Sequence, residues 1–205
     1  MQVRLYEFFK AYNNDLVKGK NIYYARGISE ANGIIKESFM RGSREPVDEY
    51  IYNTSTQIDI RGSSWRSIPL NFLQNFLQIY STNYNSGFSD LNYLETRISI
   101  ERSMLNTTRR VNGLQVLIEC LIDVNDNKLI ILAFGKNYNL DLEASIIKGL
   151  LTEFNTEDNI TTHEIEQFTY WELTKGHEET INFNQVNPIS RNSLIEVANR
   201  LVNNK

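Results

Sequence analysis

Through the first eighty positions apolar side chains recur mostly every three or four residues, and just after Asp90 the pattern changes to every second residue. Leu5, Phe8, Phe9, Tyr12 and Leu16 line one side of a first predicted helix, which ends near Lys18-Gly19-Lys20. Asn21 to Ile28 is predicted as a strand. Ala31, Ile34, Ile35 and Phe39 mark a second helix, stopped at Arg41-Gly42-Ser43. The β-branched and aromatic residues from Glu49 to Ile60 favour a strand. Pro69, tolerated in a first turn, opens a third helix carrying Leu70, Leu73, Phe76, Leu77 and Tyr80.

Ser81 to Asp90 is rich in Asn and Ser and reads as a loop. Beyond it Leu94, Thr96, Ile98 and Ile100 alternate with Glu95, Arg97, Ser99 and Glu101, which predicts a strand with one face on a core and a charged face in water. Leu114, Val116, Ile118, Cys120, Ile122 and Val124 form a second inward row. The chain turns at Asn125 to Asn127 and returns through Leu129 to Phe134, predicting a hairpin at the centre of the fold. A helix over Asp141 to Phe154, strands over His163 to Leu173 and Thr180 to Phe183, and a last helix capped by Ser190 complete the pattern. The expectation is an α+β fold: a mainly antiparallel sheet with four to five helices around it, in one domain spanning 1–205, whose natural sub-boundary is the 81–90 loop.

Composition adds little to this until charge is considered. Hydrophobic residues make up 41% and charged residues 22%, an ordinary globular balance. No run of about 18 apolar residues is present to span a bilayer, and the basic start and cleavage site of a signal peptide are missing. A lone cysteine excludes an internal disulfide and Cys-paired zinc. These features predict a cytoplasmic location, in a cell or an infected host, with a virus or phage particle as the alternative. Many Asn and Ile with few Pro fit an AT-rich genome.

Charge is uneven. Ten of the twelve arginines precede Val111; the balance is +3 up to Asn112 and −7 from Gly113, together the net −4. Such asymmetry points to a partner. Arg61, Trp65, Arg66, Arg97, Arg102, Arg109 and Arg110 combine guanidinium forks with an indole, the chemistry that grips phosphates or acidic protein surfaces. An overall acidic chain favours the protein partner over nucleic acid. Tyr, at 11 residues, suits half-wet contacts because its ring is apolar and its hydroxyl polar.

Other chemistry is thin. His163, Glu164, Glu166, His177 and Glu178 lack the ligand spacing of a zinc helix, and Asp123, Asn125 and Asn127 start a calcium loop that Lys128 and Phe134 do not continue. Three short elements remain. Arg26-Gly27, Thr54-Ser55-Thr56 and Glu164-Ile165-Glu166 resemble the arginine, Ser-Thr-Ser and Glu-x-Glu elements of ADP-ribosyltransferases. The resemblance implies an NAD site of Arg26, Ser55, Glu164 and Glu166, in which Arg26 holds the phosphates, the serine motif braces the site, and Glu166, the second glutamate, supports the departing nicotinamide. The leading expectation is different: a non-enzymatic interaction subunit, needing no cofactor or metal, that binds other protein subunits or copies of itself and does not enter a membrane. An NAD-dependent enzyme, a nucleic-acid-binding protein and an acidic toxin inhibitor are the alternatives.

Overall fold

The computed structural model describes residues 1–13, 22–41, 44–58, 64–84, 91–135, 139–156 and 164–204. Its centre is a long hairpin. Strand β2 (Leu91–Glu101) pairs antiparallel with β3 (Gly113–Asp123) over its whole length, from Leu91 opposite Asp123 to Glu101 opposite Gly113. The 2-residue periodicity of both segments puts their apolar positions on a common face, which fixes this register.

The far side of β3 is shared. β4 (Lys128–Ala133) takes its last residues, Leu121 opposite Ile130 through Asp123 opposite Lys128, and the short β1 (Gln2–Arg4) runs parallel beside Gln115 to Leu117. The turn between β3 and β4 has a local cause. The buried Asp123 carboxylate accepts from the N–H groups of Asn125 and Asp126, both at 3.1 Å, and Asn127 takes a positive φ of 50°, which asparagine tolerates. β6 (Gln167–Glu172) lies parallel to β4, and β7 (His177–Asn182) closes the sheet antiparallel to β6 through a turn in which Gly176 has φ +66°. β5 (Asn155–Thr156) sits at the opposite edge, against Ile98 and Ser99. The order is β5-β2-β3-β4-β6-β7, with β1 beside β3.

Helices cover both faces. On one, α1 (Leu5–Tyr12), α5 (Leu140–Glu153) and α6 (Arg191–Asn204) pack on Ile98, Ile100, Val116, Ile118, Cys120, Leu129 and Phe168. On the other, α2 (Ile22–Met40), α3 (Val47–Thr56) and α4 (Ser67–Asn83) pack on Leu91, Leu121, Ile130 and Trp171. Aromatic rings bind this second layer: Phe76 stacks on Tyr80 and meets Trp171 edge-on at 5.4 Å. Cys120 is buried among apolar groups, which push its thiol up to about 12, so it acts as a small hydrophobe. The α+β class with a mostly antiparallel sheet is as expected, and six helices surround it among the described residues.

Two expected strands are helices. Asn21 to Ile28 belongs to α2 from Ile22 onward, and the Glu49 to Ile60 segment forms α3 as far as Thr56, with residues 59 and 60 outside the described set. Most of the expected 81–90 loop also lies outside it, beyond Tyr84, while Ser81 to Asn83 complete α4. Packing overrides strand propensity in α2 and α3. Gly27, Ala31, Ile35 and Ser38 make one buried stripe of α2, and Val47 and Ile51, four residues apart, make another on α3. Gly27 sets the approach of α2 to α4, since a Cβ there would stand 2.5 Å from the Ile68 Cγ2. The charged face of β2 is also drier than expected. α2 lies over it, and Lys36 forms a very short ion pair with Glu95.

Candidate functional site

The connection from β2 to β3, residues 102–112, carries three of the sequence-selected arginines. It is built around one of them. After the 3-10 turn Arg102–Met104, the Arg102 guanidinium donates to the Leu105 carbonyl at 2.9 Å and to the Thr107 carbonyl at 2.5 Å. A planar fork satisfying two carbonyls of an irregular segment fixes that segment's path. Asn106 is held to α6 by Asn199 at 2.7 Å and Asn203 at 3.2 Å, and the Arg109 N–H donates to Thr107 Oγ1 at 3.1 Å. Leu105 is buried, whereas Arg109 and Arg110 are exposed. The connection is a tethered platform that displays two adjacent guanidinium groups.

Arg97 belongs to a separate network on the sheet face beneath α2. It pairs with Glu95 at 3.2 Å, and Lys36 on α2 meets the same carboxylate. Lys36, foremost through its hydrogen bond, holds the Glu95 carboxyl below its ordinary range despite partial burial. Directly across from Glu95 on β3, Glu119 accepts from the Tyr93 hydroxyl at 3.0 Å and from Asn32 at 3.3 Å. Burial first, then Glu119, pushes the Tyr93 hydroxyl far up, so it stays a donor at any ordinary pH. Arg4 lies on the same face, since both Arg4 and Arg97 are register partners of Leu117. Trp65 and Arg66 precede α4, with the guanidinium 6.0 Å from the indole centroid, and Arg61 lies outside the described residues. The described members of the set therefore do not form one patch: Arg102, Arg109 and Arg110 share a platform, Arg97 has a carboxylate partner, and Trp65 with Arg66 sits at a helix start.

The elements that resemble ADP-ribosyltransferases fall elsewhere than expected. Arg26 is on helix α2 and Ser55 near the end of helix α3, where its hydroxyl donates to the Tyr52 carbonyl at 2.8 Å; neither is on a strand. Two residues before Arg26, the Tyr24 hydroxyl meets the Phe134 carbonyl just past the end of β4. The Glu166 N–H instead meets Asn127, just before β4 begins, at 2.8 Å. Tyr24, on the same helix as Arg26, thus reaches the Phe134 end of β4, whereas Glu166 is tied to its Asn127 end, and the strand between is about 20 Å long at the usual rise. His163, weighed beside them as a metal ligand, lies outside the described residues.

Three features escaped the sequence. The first is the Lys36–Glu95–Arg97 and Glu119–Tyr93 network, whose members alternate with apolar residues and so look solvated. The second is Lys148, whose ammonium donates to the carbonyls of Phe183 at 2.7 Å and Val186 at 2.9 Å and holds the turn after β7. The third is Glu143, buried on α5 with the Tyr170 hydroxyl donating to it across a very short contact. Burial raises its carboxyl to about 7, against the lowering pull of Tyr170. Two shallow recesses flank Ile181 and Asn182. One, of about 300 Å³, is lined by Glu166, Gln167 and Asn184; the other, of about 500 Å³, by Asp141, Ser145 and Asn187.

Among the described residues no group of three or more His, Cys, Asp or Glu side chains is placed to hold a metal ion, and no helix is long and apolar enough to cross a membrane. Compared with protein families, curated proteins and solved structures, the chain matches no family model, no curated sequence and no solved fold at a significant level.

Proposed function

We propose that the chain is a non-enzymatic interaction subunit of a protein assembly and that the 102–112 connection is its partner-facing surface. The observation that carries this reading is the use of Arg102 to fix a loop through two carbonyls while the neighbouring Arg109 and Arg110 stand in solvent. A loop whose backbone path is already fixed loses less conformational freedom on binding than a floppy one, which is how preorganisation adds affinity. Arginine is also among the residues most enriched at interfaces. The partner is an acidic protein surface; the net charge of −4 argues against a nucleic-acid backbone as the principal ligand.

The test is the double variant Arg109→Ala, Arg110→Ala. Both positions are exposed, so its melting temperature should equal the wild type's. Wild-type protein should give a complex of defined stoichiometry by native mass spectrometry, weakening between about 50 and about 500 mM salt as exposed charge pairs are screened. The variant should lose it. An unchanged complex in the variant would refute the assignment of this surface. Tight binding of a labelled oligonucleotide, with a salt slope that flattens in the variant, would transfer the surface to the nucleic-acid reading.

A further inference from the structure

The two recesses beside β7 give the arginine platform a counterpart within the same chain. Each has one carboxylate in its lining, Glu166 in the smaller and Asp141 in the larger, and the remaining lining residues are mainly amides and a hydroxyl: Asn182 and Asn184 in one, Ser145 and Asn187 in the other. Among the described residues neither recess is lined by Lys or Arg. Lys148, the nearby cation, is held beneath the turn by the Phe183 and Val186 carbonyls. A guanidinium group has five donors in a planar fork and no acceptor. A cavity offering one carboxylate and several amide oxygens is matched to it. Two such cavities side by side match two consecutive arginines, whose side chains diverge wherever the backbone is not helical.

The match is not made within one molecule. The 102–112 connection leaves from the Gly113 end of β3, whereas Glu166 is hydrogen-bonded to Asn127 in the turn beyond the Asp123 end. β3 has 11 residues and so is about 35 Å long at the usual strand rise, and β7 lies a further three strands across the sheet from β3. Arg109 and Arg110 are exposed and line neither recess, so the platform and the recesses of one molecule are both open to another.

We infer that Arg109 and Arg110 of one copy dock into the paired recesses around Ile181 and Asn182 of a second copy, joining the chains head to tail. This rests on the reading of the 102–112 connection as a partner surface and names a second copy of the chain as the partner. The contact uses different surfaces on the two molecules, so it is heterologous and builds an open filament or a closed ring. Charge complementarity sets its direction: the connection is cationic, and each receiving recess has one carboxylate residue in its lining.

The experiment is analytical ultracentrifugation of the full chain and of two charge-reversed variants, Arg109→Glu with Arg110→Glu and Asp141→Arg with Glu166→Arg, with thermal melts to show that each folds. Asp141→Asn with Glu166→Gln serves as the milder recess variant. The wild type should associate at about 100 μM and low salt, a range set by weak interfaces. Each charge-reversed variant alone should weaken association about tenfold or more. Mixing the two should restore association, because each supplies the surface that the other needs. A wild type that stays monomeric under these conditions overturns the inference, as does association that both recess variants leave untouched. In the second case, loss on reversing Arg109 and Arg110 would still uphold the platform as a partner surface. If that reversal also has no effect, both readings fall together.

Discussion

Replacing Glu143 with Gln should flatten the stability of the protein against pH between about 4.5 and about 7. Glu143 lies in the first turn of α5, where the helix N-terminus would favour a carboxylate at the surface. Its side chain turns inward instead and is 9% exposed, with the buried Tyr170 donating to it. Burial dominates and lifts the carboxyl from 4.5 to about 7. The folded protein therefore binds this proton more tightly than the unfolded chain does. Below pH 4.5 both states are protonated and the contribution is fully present. As pH rises through 7 the folded state must ionise a buried group, and the contribution is lost. At about 1.4 kcal/mol per pH unit, the shift amounts to roughly 3 kcal/mol across the window.

The assay is a set of urea melts at steps between about pH 4.5 and about pH 8 for the wild type and Glu143→Gln. Glutamine preserves an acceptor for Tyr170 and carries no charge, so the variant lacks this titration; any constant cost of its buried amide moves the curve without tilting it. With the difference between the two proteins at about pH 4.5 as the reference, the wild type should lose about 3 kcal/mol relative to the variant by about pH 8. The Glu95 carboxyl, held low by Lys36, acts in the opposite sense and only at more acidic pH. Parallel stability curves for the two proteins would mean that Glu143 does not titrate as its burial requires, which would refute this account of the buried pair.

Three further perturbations probe the packing. Gly27→Ala should destabilise by about 1–3 kcal/mol because its Cβ would overlap the Ile68 side chain, whereas Gly33→Ala on the same helix meets nothing within 4 Å and should stabilise by about 0.5–1 kcal/mol in thermal melts. Lys148→Met keeps the aliphatic stem but removes the ammonium that the carbonyls of Phe183 and Val186 accept from, leaving Phe183 only the Val186 N–H, so it should cost about 1–3 kcal/mol and raise hydrogen exchange in residues 183–186. Ile118→Ala should open a cavity costing about 2–5 kcal/mol, and Glu119→Ala, which strands the Tyr93 hydroxyl and Asn32, about 1–3 kcal/mol; a Glu119 variant as stable as wild type would mean that α2 does not cover this face.

What can be read from the sequence is whatever a single period determines. The alternation from Leu91 to Asp123 specifies both long strands, and the Asn-rich step after Asp123 specifies their turn onto β4, because a buried aspartate and a positive-φ asparagine are local devices. Segments such as Ile22 to Ile28 and Tyr50 to Thr56 mislead because aromatic and β-branched residues suit a strand or a packed helix alike. Only their neighbours decide, and Gly27 against Ile68 is a contact between residues 41 positions apart. The polar side of β2 misleads for the same reason. Glu95 and Glu119 look like a wet face until a helix from earlier in the chain brings Lys36 and Asn32 onto them.

The candidate site shows the same division between what is local and what the topology supplies. Arginine excess before Val111 and acid excess after Gly113 are properties of composition, and the fold decides which of these charges meet: Arg4 and Arg97 share a sheet face with Glu119, whereas Arg109 and Arg110 do not. The last arginines of the basic stretch sit in the connection entering β3 at Gly113, and the acidic stretch returns at the other end, where Glu166 meets Asn127. Placing β4, β6 and β7 outward from β3 puts Glu166 beyond the Asp123 end of β3, a strand length from the Gly113 end where the connection carrying Arg109 and Arg110 enters. Charges held that far apart are screened from one another in salt and remain available to other molecules.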